Sequence, residues 1–262
     1  MTEILSVANQ KGGVSKTTTA LNLGAVLAFV YGMKVLLVDI DPQGNLTDNV
    51  GIDIEAESVP TMYEILKGEN RIEDGIMDYN GIDVLTADIA LSSAEREFTQ
   101  VGAEHRLRKA LEPIKNRYDY IIIDTPPALG MLTINAFTAS SQIIIPVEPA
   151  YFSLKGLVKL NEAIESVREF TNENLIVKGV LFTKFNENFN ISKKMKEAAS
   201  KISEVIGAPI FKTFIRRTIR VDEAQVAGVD LITFKTATTA EEDYKAFGKE
   251  YLMSEGVISD GE

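Results

Sequence analysis

The stretch Asn9-Gln-Lys-Gly-Gly-Val-Ser-Lys-Thr-Thr-Thr19 decides how this chain is read. It follows a short apolar run, Ile4–Val7, that reads as a strand, and it leads into a stretch over Thr17–Val30 that reads as a helix. A glycine-bearing turn between a strand and a helix is the context a phosphate loop requires. Glycines let successive backbone N–H groups turn toward oxygen anions, and the helix start adds the positive end of its dipole. The cradle runs through Gly12, Gly13, Val14, Ser15, Lys16, Thr17 and Thr18. Lys16 can reach the β- and γ-phosphates and the Thr17 hydroxyl can ligate Mg²⁺, so the expected ligand is magnesium–ATP. The bland reading, a Gly-Lys-rich surface turn, has to ignore two further elements that arrive in the right order.

The first is Leu36-Leu-Val-Asp-Ile-Asp-Pro-Gln-Gly-Asn45, where Asp39 and Asp41 leave the carboxyl end of the apolar run Val35–Val38. The second is Ile121-Ile-Ile-Asp-Thr-Pro-Pro127, a buried-type strand that ends in Asp124. Open α/β sheets bind ligands at that edge, and a carboxylate there can hold Mg²⁺ through a water. A lone aspartate at a strand end is ordinarily a cap or turn residue. Three such positions behind one phosphate loop are not a chance arrangement.

The remaining pattern alternates apolar runs (Ile82–Leu85, Ile143–Val147, Lys178–Thr183, and an edge strand over Ile210–Phe214) with helical stretches. The helices are expected at Thr61–Leu66, Glu104–Arg117, Gly156–Phe170, Ser192–Ile206 and Ala240–Tyr251. Continuous apolar strands between helices predict an α/β, P-loop NTPase-like fold: a mostly parallel twisted sheet with helices on both faces. Without repeats or a Pro/Gly-rich linker, residues 1–253 read as one domain, and residues 254–262 as an acidic tail expected to fray.

Composition narrows the function. At 262 residues and 45% hydrophobic, the chain can bury a large core. The absence of cysteine excludes disulfides, thiolate zinc sites and cysteine-held iron–sulfur clusters in this chain, and fits a reducing cytoplasm. The first ten residues lack the basic and apolar regions of a secretion signal, and no apolar run approaches the roughly 20 residues of a membrane span. A net charge of −11 argues against a surface coated for nucleic acid, so DNA binding would need a local basic patch. His105, the only histidine, lies on a charged helical stretch without a recognisable nucleophile and reads as structural or solvated.

An ordinary P-loop has glycine six residues before the lysine, where this chain has Gln10. The pattern present, Lys11-Gly-Gly-Val-Ser-Lys-Thr-Thr18, resembles the deviant Walker A box of the ParA/MinD family. The resemblance extends to Val38–Asn45, Leu91–Glu95, Arg106–Lys109, Leu132-Thr-Ile-Asn135 and Ile219–Ala224, and is nearest to the small, Soj-like ParA partition ATPases. It implies a slow, partner-stimulated ATP hydrolase whose ATP is sandwiched in a homodimer. Lys11 would reach the partner protomer's phosphates, Gly12 would let the two backbones approach, and Asp41 would orient the attacking water. Asp39 and Asp124 would stand in the magnesium shell, and Gly44–Asn45 and Thr125–Gly130 would sense the γ-phosphate. The trigger would be a ParB-like or other adaptor protein with a flexible basic segment. The cargo, a plasmid, chromosome or other body, is not legible.

The chain departs from the family at Ser15, which replaces a glycine, and at Lys155, which replaces an acidic residue and reads as a solvated helix position or as a second cation near the dimer interface. Ile215-Arg-Arg-Thr218 stands near the expected adenine, with Arg217 as the candidate contact, and Asn188 stands where relatives carry a DNA-binding arginine. Relatives bind DNA without sequence preference when ATP is present. Here Arg216, Arg217 and Arg220, with Lys193 and Lys194, match that role and imply a cytoplasmic, nucleoid-associated protein. Helix-turn-helix relatives carry sequence before the loop, so operator-specific repression is not expected. The alternative is a MinD-like membrane- or protein-bound regulator, but the end of this chain is mixed in charge and then acidic, which suits an anionic lipid surface poorly.

Overall fold

Apolar runs without alternation cannot offer a polar face to water, so they must be covered on both sides. A computed structural model describes residues 2–149, 153–185, 191–234 and 239–259, with the side chains of Glu55 and residues 191–196 outside that description. In it the runs become β1 (Glu3–Val7), β2 (Val35–Asp39), β3 (Ile76–Tyr79), β4 (Ile82–Leu85), β5 (Tyr120–Asp124), β6 (Gln142–Val147), β7 (Ile176–Phe185) and β8 (Ile210–Arg216). They join in one sheet of order β3-β4-β2-β5-β1-β6-β7-β8. Every pairing is parallel except β3 with β4. β2, β5 and β6 are buried along their whole length.

Alternate residues of each strand face opposite layers. Leu36, Val38, Ile121, Ile123, Ile143 and Ile145 pack under helices Met62–Lys67, Arg106–Leu111, Met131–Ala139 and Leu154–Phe170. Leu5, Val7, Leu37, Ile122 and Ile144 pack under helices Lys16–Ala25 and Thr239–Ser254, the latter through Tyr244, Phe247 and Tyr251. The expected two-faced parallel sheet is present.

Several local expectations are corrected. The stretch Glu104–Arg117 is not one helix: 3₁₀ turns at Ala103–His105 and Lys115–Arg117 flank a short helix, Arg106–Leu111. Pro113 has no N–H to continue the ladder and its ring clashes with the preceding turn. The helix expected over Thr17–Val30 is α-helical only to Ala25 and continues as a π-helical turn over Val26–Val30. The strand β3, helix Met131–Ala139 and helix Arg220–Val226 were not anticipated.

The start of the tail has contacts with the fold. Lys178 forms a part-buried ion pair with Glu255, Gln142 donates to Glu255 at 2.7 Å, and Ile258 packs against the core. Residues 260–262 lie outside the described residues.

Candidate nucleotide site

The site is built where the central strands end. Register places Val7 of β1 and Asp39 of β2 each opposite Asp124 of β5, so both carboxylates stand side by side at the carboxyl edge behind the loop. Neighbouring strands hold the loop itself. Asn9 Nδ2 donates to the Pro146 carbonyl at 2.7 Å while its Oδ1 accepts the Lys11 N–H at 3.0 Å. Thr125 Oγ1 donates to the Val7 carbonyl at 2.9 Å, and Thr183 Oγ1 to the Val14 carbonyl at 3.1 Å. The cradle is therefore tied to β5, β6 and β7 and needs little reorganisation to take an anion.

Ser15 occupies the position just before the helix with φ 66° and ψ 33°, a left-handed conformation. A Cβ there costs energy that glycine avoids. Ser15→Gly is expected to raise the unfolding free energy by about 0.5–1 kcal/mol, read from the shift in urea midpoint at constant m. An unchanged midpoint would mean the loop carries no such strain.

The charged groups fall into three environments. Lys16 is only 7% exposed, and burial lowers its pKa while Asp124 and Asp41 pull it back up. Asp39 accepts from the Asp41 N–H at 3.0 Å, the Thr47 N–H at 3.0 Å and the Thr47 hydroxyl at 2.9 Å. Burial nonetheless pushes its pKa up to about 7. Asp124 is fully buried, and neither of its oxygens has a hydrogen-bond partner among the described residues. Burial, then the neighbouring Asp39, raises its pKa well above the carboxylate range; the nearby Thr17 hydroxyl and Lys16 ammonium oppose that rise. Asp41 closes its own turn, with Gly44 N–H on its carbonyl at 2.9 Å and Gln43 N–H on Oδ1 at 3.0 Å.

An orphaned buried carboxylate beside a hydroxyl and a desolvated ammonium is incomplete without further ligands. It fits a magnesium ion held partly by protein and partly by phosphate oxygens. Consistent with that sharing, the described residues contain no cluster of three or more carboxylate, histidine or cysteine side chains able to cage a metal alone. Asp124 and Thr17 are the better placed metal residues. Both oxygens of Asp39 are already engaged in holding Thr47 and the start of the Asp41 turn.

Lys11 is placed differently from Lys16. Its side chain is 40% exposed, with Nζ 4.0 Å from Glu148 Oε2 at the end of β6. On the far side, helix Arg220–Val226 reaches the loop helix: Gln225 Nε2 donates to Thr18 Oγ1 at 3.3 Å. Arg217 and Arg220 are exposed beside it, and Arg220 pairs with Glu223 at 2.6 Å. Arg216 is engaged within the fold: its backbone N–H, Nε and Nη2 all bind the Asp243 carboxylate, with Nη2 to Oδ1 at 2.8 Å, so it clamps β8 to the last helix. Lys193 and Lys194 belong to helix Ile191–Ile206, but their side chains, like Asn188, lie outside the described residues. Lys155 is exposed on helix Leu154–Phe170. Sequence reading missed the anchoring roles of Asn9, Thr47 and Thr183, all of which act through space on backbone groups.

Comparison with known proteins agrees with this geometry. Residues 2–177 match the family model described as an AAA domain. The chain is 41% identical to the sporulation initiation inhibitor protein Soj of Bacillus subtilis, over 95% of this chain and 98% of that protein. It is 37% identical to the chromosome partitioning protein ParA of Caulobacter vibrioides, over 96% of this chain and 94% of that protein. Among solved structures, cobyrinic acid a,c-diamide synthase from Mycobacterium smegmatis with bound ATP analog and magnesium superposes with a TM-score of 0.83. That match is 31% identical and covers 95% of this chain and 93% of the other. With the deviant phosphate loop, the paired strand-end aspartates and these relatives on one sheet edge, the chain belongs to the ParA/Soj family of partition ATPases.

Proposed function

We propose that this chain hydrolyses magnesium–ATP slowly between two protomers and uses the nucleotide-held dimer to bind DNA without sequence preference, moving or spacing a cargo. One observation carries the reading: two lysines of one loop have opposite placements, Lys16 buried at 7% exposure and Lys11 with its side chain 40% exposed. Lys16 serves the protomer's own phosphates, and Lys11 is presented to a second protomer. Charge supplied in trans at a transferring phosphoryl group is worth about 10³–10⁵ in rate where it has been measured. Thr17 and Asp124 would hold Mg²⁺, with Asp39 behind them, and the ion would neutralise charge on the phosphates. Asp41 orients the attacking water, and the cradle Gly12–Thr18 with Arg217 holds the nucleotide.

Arg217, Arg220 and the lysines at 193 and 194 supply the DNA contacts. A few such cations give weak, salt-sensitive binding even on a protein of net charge −11. Dimerisation doubles the patch and so couples ATP to DNA affinity. A ParB-like adaptor with a basic segment would accelerate hydrolysis and release the dimer from nucleoid DNA in the cytoplasm.

A membrane-bound, MinD-like role has less support. The apolar face of helix Thr239–Ser254 is spent on the core. A synthetase reading rests on the M. smegmatis structure at 31% identity, against 41% for Soj.

The test is binding to random-sequence duplex DNA with ATP, ADP or no nucleotide at two salt concentrations. Binding only with ATP, weaker at high salt and weakened further by Arg217→Ala, is expected. Absence of binding in every state sinks the DNA reading. Asp41→Ala should accumulate ATP dimers on DNA, and a variant that stays monomeric with ATP would remove the dimer model.

A further inference from the structure

Residues 87–97 touch both of the loops expected to sense the γ-phosphate. At one end, the Ala87 N–H donates to Thr47 Oγ1 at 3.1 Å, and that hydroxyl donates in turn to Asp39. The Ala87 carbonyl lies so close to Gly44 that a Cβ on this glycine would stand 3.0 Å from it. At the other end, Glu95 reaches the start of helix Met131–Ala139, where its two oxygens accept from the Met131 N–H at 2.7 Å and the Leu132 N–H at 3.2 Å. Those are the first free donors of that helix, and Gly130 before them has no side chain with which to cap them. The carboxylate occupies the space a side chain would need: a Cβ on Gly130 would collide with both oxygens of Glu95.

Between these ends the segment is anchored to the core: Leu91 and Ala94 are fully buried and Phe98, just beyond, is 3% exposed. Asn135, on the same helix as the capped amides, binds the chain just beyond this segment, at the Ala103 carbonyl at 2.9 Å and the Leu107 N–H at 3.0 Å. The two loops therefore lean on one packed element.

We propose that residues 87–97 are a strut coupling the Asp41–Thr47 loop to the Thr125–Gly130 loop, with Glu95 as the positioning residue at its far end. The inference rests on the nucleotide reading above. Glu95 is itself exposed and caps only the first turn of one helix, so its loss leaves the core intact and the Glu95→Ala protein is expected to fold. What the bonds fix is where the second loop stands when the first one moves.

Hydrogen exchange with magnesium and a non-hydrolysable ATP analogue tests this. In the wild type, amides of residues 10–18, 41–47 and 128–135 are expected to slow. In Glu95→Ala, residues 10–18 should remain protected and the KM for ATP should stay within about twofold, because the cradle is untouched. Protection across 41–47 should fall by about threefold or more, although Glu95 touches none of those residues. The kcat should fall by about fivefold or more, with Glu95→Gln, which keeps one acceptor, in between. Gly130→Ala, which expels the carboxylate, should reproduce the loss in the wild type and add nothing in Glu95→Ala. Full protection of 41–47 in Glu95→Ala overturns the strut, since Glu95 is then only a local cap. Loss at residues 10–18 with a raised KM overturns it too, since the whole site has then loosened. A wild type that shows no nucleotide-dependent slowing anywhere removes the nucleotide reading and the strut together.

Discussion

Asp124→Asn is expected to leave the nucleotide-free protein at least as stable as the wild type at pH 8 while removing magnesium-dependent turnover. Asp124 is a fully buried carboxylate with no hydrogen-bond partner on either oxygen among the described residues, and it faces Asp39. A buried charge without hydrogen bonds destabilises the fold that holds it, and a carboxamide has no charge to desolvate. Lys16 loses one attracting group in the variant but keeps Asp41. The expected gain is about 1–2 kcal/mol in unfolding free energy at pH 8. The sign with pH follows from the raised pKa. Between the ordinary carboxylate range and its folded value, the native state holds a proton that the unfolded state has lost, so stability falls as pH rises through that window. Asp39 imposes the same trend on both proteins, from about pH 4 to about pH 7. The advantage of the variant should therefore vanish near pH 4 and grow upward. Magnesium–nucleotide reverses the order, because the ionised carboxylate is what it needs. The wild type gains about 2.7 kcal/mol at 100 times Kd, and the variant should lose most of that. Turnover should drop by about 100-fold or more. Urea unfolding at pH 4 and 8, with and without magnesium and an ATP analogue, checks the first part and phosphate release the second. A variant destabilised by more than about 2 kcal/mol without nucleotide would show that the carboxylate has a structural task instead.

The contrast between Asp39 and Asp124 also marks how far the sequence could be read. Both aspartates were visible as residues leaving apolar strands, because strand, turn and loop are local and their residue types are demanded by phosphate chemistry. Their division of labour was not visible, because it depends on Thr47, eight residues beyond Asp39 and brought back by a turn at Gly44. The same limit explains Arg216, which reads as one of a basic cluster until Asp243 arrives from 27 residues later. It explains helix Met131–Ala139 as well, whose cap is Glu95, 36 residues before Met131. No local capping residue announced that helix, since Gly130 stands where one would be expected. Strand β3 was missed for a different reason: Ile76-Met-Asp-Tyr79 is four residues long, antiparallel and at the sheet edge, without the continuous apolar character that betrayed the buried strands. Residues that act on their own neighbours were legible, and residues that act on distant backbone groups were not.

Lys11→Ala should abolish hydrolysis while leaving the protomer's fold and its affinity for ATP nearly unchanged, and mixing it with Asp41→Ala should restore turnover. The lysine is half-exposed, and an ion pair as long as the 4.0 Å to Glu148 adds little to the fold. Monomer affinity for magnesium–ATP should stay within about threefold, because the loop amides and Lys16 remain. The kcat should fall by about 10³-fold, the scale of a cation supplied across an interface. That fall alone does not say whose phosphates Lys11 serves, and the mixture does. In a mixed dimer, the site on the Lys11→Ala protomer keeps its own Asp41 and receives Lys11 from the Asp41→Ala partner, so it is complete. The opposite site lacks both groups. Random pairing of equal amounts makes about half of the dimers mixed, each with one working site, so activity should return to about a quarter of the wild-type rate per protomer. If Lys11 acts on its own protomer's nucleotide, every site in the mixture lacks one of the two groups, and no activity returns. Phosphate release from the two variants, alone and mixed at concentrations above the dimer affinity, separates the two geometries, and a silent mixture of folded, ATP-binding proteins would end the sandwich reading.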